Sequence, residues 1–174
     1  MQNALKLIVA IVVSELAGII GAVFTAPSLP VWYAGLVKPE LNPPSWVFGP
    51  VWTTLYALMG VSLFLIWRRH SDILPPSFET TAGQGKNVRM PRLFTWAIGV
   101  FFFQLALNTL WSIFFFGMQN PALAFVDIIF LWLAILATMI LFYRISKPAS
   151  YLLLPYILWV SFASYLNYSL WMLN

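Results

Sequence analysis

The chain has 174 residues, 61% of them hydrophobic and only 8% charged, with a net charge of +4. A soluble domain carries roughly a quarter of its residues as charges, so this chain lacks the polar surface to face water, and its length suits one domain, 1–174. Cysteine is absent and His70 is the lone histidine, which excludes disulfides, thiolate metal sites, a cysteine nucleophile and a multi-histidine metal centre.

Five apolar runs approach the ~20 residues needed to span a bilayer, and they predict helices at 5–26, 46–67, 93–117, 121–143 and 151–173. The expected fold is all-α, an integral membrane bundle of five transmembrane helices. The first run is too long for a cleavable signal peptide and carries Glu15 at its middle. Along it, Ser14, Gly18, Gly21, Ala22 and Thr25 form a stripe of small residues that predicts a helix-packing face. No base occurs at the depth of Glu15, so its carboxyl is expected to be protonated.

The segment 27–44 holds five prolines, which argue against a continuous helix. Val31, Trp32, Tyr33, Leu36 and Val37 are nevertheless too apolar for a solvated tether, so the segment is expected to fold over the bundle as a lid. Helix two carries Phe48, Trp52 and Tyr56 on one face. The polar stretch 71–91, with Pro75, Pro76, Gly83 and Gly85, reads as a flexible basic loop. Helix three aligns Gln104, Asn108 and Trp111, and helix five aligns Tyr156, Trp159, Ala163 and Asn167. The short connections after helices three and four require antiparallel neighbours.

Eight of the nine basic residues fall on the side of the N-terminus, and Lys38 alone on the other. The positive-inside rule therefore puts the N-terminus in the cytoplasm and Asn174 outside, with a microbial cell membrane as the expected location. This asymmetry accounts for the basic loop without nucleic acid. Aromatics are also abundant, with nine Trp, seven Tyr and fifteen Phe, more than interfacial belts require.

Polar groups within spans mark function by default. Trp52, Trp111, Asp127 and Asn167 each lie six residues from the lid-side end of their helix, about 9 Å deep at 1.5 Å per residue. Amides that merely bridge helices, stabilising by ~1 kcal/mol, account for any one of them. Together they predict a cavity under the lid, with flat aromatic walls suited to a planar, largely apolar ligand with polar edges. A proton relay from Glu15 to Asp127 is not expected, because Asp127 lies close to the opposite surface. No phosphate loop or nucleophile–base–acid set is visible, and no internal repeat of the kind many transporters show.

The string Trp32-Tyr33-x-x-Leu36-x-Lys38-Pro39, then Pro43-Pro44-x-x-x-Phe48-x-Pro50-Val51-Trp52-Thr53-x-Leu55-Tyr56, resembles the tryptophan-rich sensory protein family. It is also known as the translocator protein, peripheral benzodiazepine receptor or TspO/MBR family. Asn108-x-x-Trp111, Ala124-x-x-Asp127 and Pro155-Tyr156-x-x-Trp159-x-x-x-Ala163-x-x-Leu166 fit the same pattern. The resemblance implies five helices, often paired as a homodimer, around a pocket beneath the first loop. It further implies binding of protoporphyrin IX, haem or benzodiazepine-type ligands, with no required cofactor and the lipid bilayer as the surrounding partner. The positions it carries over are Tyr33, Trp52, Asn108, Trp159 and Ala163, with Pro43, Phe48, Tyr56, Trp111, Asp127 and Leu166 as further lining.

The resemblance leaves three functions open. The first is a tetrapyrrole receptor in porphyrin handling or stress signalling. The second is a light-dependent porphyrin-degrading enzyme using Trp52 and Trp159, and the third a porphyrin, sterol or lipid transporter. The proposed cholesterol motif needs a base shortly after a tyrosine, and none follows Tyr168.

Overall fold

The computed structural model describes residues 2–73 and 89–174, and its ordered elements there are helices. In chain order they are α1 (Gln2–Ser28), α2 (Ser45–Ile73), α3 (Arg89–Ser112), α4 (Pro121–Ile145), α5 (Lys147–Tyr151) and α6 (Leu154–Leu173). Widened π turns at Leu29–Tyr33 and Ile113–Gly117 prolong α1 and α3. Among the described residues five runs are long and apolar enough to cross a membrane: Asn3–Tyr33, Ser45–Ser71, Arg92–Gly117, Pro121–Ile145 and Lys147–Leu173. Their outward faces carry exposed Ile8, Val12, Val23, Phe103, Phe130 and Leu158, which suits contact with lipid.

The first helix runs further than the proline count predicts. It passes through Pro27 and Pro30 and stays helical to Gly35. A proline removes one backbone donor and pushes against the preceding turn. The π turn that follows widens the backbone at that place. The span Asn3–Tyr33 is 31 residues, roughly 45 Å at the helical rise and longer than the ~30 Å hydrocarbon core. The lid therefore begins on a projecting helix end and only then turns back through 36–44.

The fifth span also differs from its expected start at 151, since it begins at Lys147 and comprises α5 and α6. The helix gives way to a turn at Leu152 and Leu153, just ahead of Pro155, which cannot donate to the preceding turn. Ser62 and Ser150 hold α5 in place, their hydroxyls donating to Ala149 O at 2.7 Å and Met139 O at 2.8 Å. The loop expected at 71–91 lies mostly on 74–88, outside the described residues, and its flanks continue α2 and α3.

Away from the lid the bundle is solid. Met59, Ile66, Phe101, Ile135, Phe142 and Leu153 are fully buried, and the rings of Phe101 and Phe142 stack at 5.8 Å. Helices α1 and α2 touch backbone to backbone at Gly60, where an added Cβ would stand 2.5 Å from Ile11 Cα. The connection from α3 to α4 is compact because Gln119 takes a left-handed conformation (φ 51°) and Asn120 caps α4, accepting from Leu123 N at 2.9 Å. Helix α4 packs behind α3 and α6. Towards the lid, α1, α2, α3 and α6 enclose a hollow.

Candidate functional site

The hollow is a cavity of about 500 Å³. Gly18, Ala22 and Thr25 of α1 form one wall, and Phe48, Trp52 and Tyr56 of α2 the next. Asn108, Trp111 and Phe115 come from α3 and its π extension, and Trp159, Ala163, Leu166 and Asn167 from α6. Tyr33 and Leu29 close the lid side. Helical periodicity explains this convergence, since each set recurs at three- and four-residue intervals and so shares one face of its helix.

The aromatic walls are ordered by mutual ring contacts. Trp52 stacks on Tyr56 (5.7 Å, 30°) and meets Tyr156 edge-on. Across the cavity, Phe48 meets Trp159 edge-on at 6.1 Å. Trp111 stacks on Phe115 at 5.2 Å. The Trp111 indole donates to Asn167 Oδ1 at 2.9 Å, and the Asn167 amide donates to Pro121 O at 2.7 Å. Trp111 and Asn167 are thereby fixed, whereas the buried Trp159 Nε1 has no hydrogen-bond acceptor among the described residues.

The floor is a directional chain of hydrogen bonds. The Tyr56 hydroxyl donates to Asn108 Oδ1, and Asn108 Nδ2 donates to the Tyr156 hydroxyl at 3.1 Å. The Tyr156 hydroxyl donates to Gln104 Oε1 at 2.9 Å. All four side chains are buried. Such a chain links α2, α3 and α6 at one depth and separates the cavity from the solid half beneath.

The roof is tied down at several points. Tyr33 is buried, and its hydroxyl donates to Asn42 Oδ1 at 2.9 Å. Trp32 meets Phe115 edge-on at 5.4 Å. Asn174 accepts from Val37 N at 2.9 Å and donates to Val37 O at 3.1 Å, joining the lid to the end of α6. Of the apolar lid residues, Trp32, Tyr33 and Leu36 turn inward, while Val31 and Val37 remain exposed.

Among the site residues expected from the sequence, Tyr33, Phe48, Trp52, Tyr56, Asn108, Trp111, Trp159, Ala163 and Leu166 line the cavity. Pro43 and Asp127 do not. Pro43 sits in the lid, where its carbonyl accepts from Asn42 Nδ2. Asp127 is buried on α4, which contributes no lining residue because it lies behind α3 and α6. Its depth is as expected, but its position around the bundle removes it from the cavity.

The small-residue stripe of α1 divides in the same way. Ser14 is buried with its hydroxyl on Ala10 O, and Gly21 packs against Ser112 of α3. Gly18 receives the Tyr56 ring, and Gly18, Ala22 and Thr25 face the cavity. Smallness here makes room for a hollow as well as for a neighbour. Glu15 also lines the cavity, a placement its mid-span depth does not reveal without knowing which face it occupies.

Residues 10–172 match the model of the TspO/MBR family. The chain is 43% identical over 173 residues to the tryptophan-rich protein TspO of Archaeoglobus fulgidus, covering 99% of both chains. It is 35% identical to the translocator protein of Bos taurus, over 92% of this chain and 85% of that one. It is 34% identical to the tryptophan-rich sensory protein of Cereibacter sphaeroides, over 82% and 77% respectively.

Proposed function

The chain belongs to the TspO/MBR family of membrane sensor and translocator proteins, and from that premise we propose that it is a receptor for tetrapyrroles and benzodiazepine-type ligands, bound in the cavity beneath the lid and acting in porphyrin handling or stress signalling. One observation carries the reading. Trp52, Asn108 and Trp159, from three different helices, meet around a single aromatic hollow. Flat rings are worth about 0.5–1.5 kcal/mol per aromatic contact beyond their area. Among the described residues no basic side chain lines the cavity. The acidic substituents of a porphyrin would therefore point towards the lid, whose Lys38 stands over the Tyr33 ring. The N-terminus is assigned to the cytoplasm on the distribution of basic residues.

Protoporphyrin IX titrated into the protein in nanodiscs is expected to quench tryptophan emission saturably. Trp52→Phe and Trp159→Phe should each weaken that binding. Unsaturable quenching that is unchanged in both variants contradicts the proposal.

A second reading is favoured by the placement of Trp52 and Trp159 on the same cavity. Two oxidisable indoles beside a photosensitising ring would suit light-dependent breakdown of the bound porphyrin. Loss of porphyrin absorbance under light should then exceed that in empty nanodiscs and fall in both variants. An equal rate with and without protein removes the enzymatic reading and leaves binding intact.

A further inference from the structure

Among the described residues, one carboxyl group and no base line the cavity. Glu15 is the only acidic side chain among its lining residues, which include no lysine, arginine or histidine; Tyr33 and Tyr56 are the other ionisable members. Among the described residues Glu15 makes no hydrogen bond or ion pair. It stands on α1 one turn from Gly18, against whose backbone the Tyr56 ring lies. Tyr56 in turn donates into the floor. An uncompensated carboxyl in the middle of a span is costly, and such residues are kept where they pair with something.

The cavity also has an open side. Helices α1 and α2 touch at Gly60 and Ile11 and again at Gly18 and Tyr56. Nearer the lid, Ile19 and Ala22 on α1 and Gly49 and Thr53 on α2 line the cavity while remaining exposed. An added Cβ at Gly49 would meet nothing within 4 Å. The two helices thus part towards the lid and leave a mouth that faces lipid, with Glu15 near its narrow end.

We infer that Glu15 makes this cavity selective for planar aromatic ligands bearing a basic nitrogen, which reach it from the bilayer through the gap between α1 and α2. The inference rests on the cavity being a ligand site. Two features act together on such a ligand. The basic nitrogen takes up the proton that the lone Glu15 carboxyl holds, and the resulting ammonium donates to the Glu15 carboxylate as its counter-charge. The Tyr56 ring, which lies against Gly18 one turn from Glu15, attracts the same cation through its quadrupole. A neutral ligand of equal shape gains the stacking and at most a neutral hydrogen bond to the carboxyl.

The test compares pyrenemethylamine with pyrenemethanol, one aromatic body with a basic or a neutral substituent. Each is titrated into the protein in phosphatidylcholine nanodiscs, with energy transfer from tryptophan to pyrene as the signal and empty nanodiscs as the blank. The amine is expected to bind about tenfold tighter than the alcohol, the order of one hydrogen bond to a charged group. Glu15→Gln should remove the amine's advantage over the alcohol, and saturable alcohol binding by the variant shows it to be folded. If the alcohol saturates but the amine has no advantage, or keeps its advantage in Glu15→Gln, the inference fails and the cavity stands. If neither probe saturates above the blank, both the inference and the cavity reading fail.

Discussion

At the scale of single residues, Tyr56 joins several parts of the site. It lines the cavity, rests on Gly18, stacks with Trp52 and begins the hydrogen-bonded floor. A methyl group at Gly18 would stand 2.3 Å from Tyr56 Cε2, so the ring must move. Gly18→Ala is therefore expected to cost about 1–3 kcal/mol through overpacking, read as a lower melting temperature in detergent, and to weaken ligand binding. Asn108→Ala strands the Tyr56 hydroxyl and leaves the Tyr156 hydroxyl only its bond to Gln104, a loss of about 1–3 kcal/mol for the buried group left unpaired. Asn108→Asp keeps an acceptor for Tyr56 and should lose less. Equal stability of wild type and Asn108→Ala would show that the floor does not hold the helices.

Single residues were also where the sequence was most and least informative. Trp52, Asn108 and Trp159 were legible because an indole or an amide in an apolar run has few reasons to be there. Asp127 satisfied the same rule and the same depth, yet it lies on the helix behind the cavity. Depth follows from counting along one helix. Position around the bundle depends on how the helices are arranged, and one sequence does not contain that. Glu15 shows the converse, because its depth was plain and its face was not.

Among the elements, the lid and the fifth span depart most from their sequence patterns. Proline content argued for an irregular segment from residue 27, whereas the helix continues past Pro30 by widening its turn. Propensity describes the average cost of a proline, and a π turn is a local way to absorb it. Anchoring of the lid was likewise invisible, since Asn174 and Val37 are 137 residues apart in sequence. Asn174→Ala removes both of these bonds and should loosen the roof. The expected result is faster ligand release in stopped-flow fluorescence, with the association rate less affected. An unchanged release rate would mean that the ligand does not leave past the lid.

On the scale of the whole molecule, five spans, their order and their membrane setting were legible, because hydropathy over ~20 residues reports directly on the solvent. The helices divide into two halves of different character. The half away from the lid is closely packed around Phe101, Ile135 and Phe142, and the half below the lid is hollow. Gly60 secures the first, and Gly60→Ala should destabilise the protein because the Ile11 backbone cannot yield to a Cβ at 2.5 Å. Gly49 borders the second at its open side, where Gly49→Phe should slow ligand association while leaving the melting temperature near that of wild type. A large stability loss in Gly49→Phe would place that residue in a packed contact rather than at a mouth.

The most direct measurement is an experimental structure with protoporphyrin IX bound. The macrocycle is expected between the Trp52 and Trp159 indoles, beneath Tyr33, with its acidic groups towards the lid. A porphyrin seated on the lipid-facing surface, with side chains packed solidly where the hollow stands, would contradict the account.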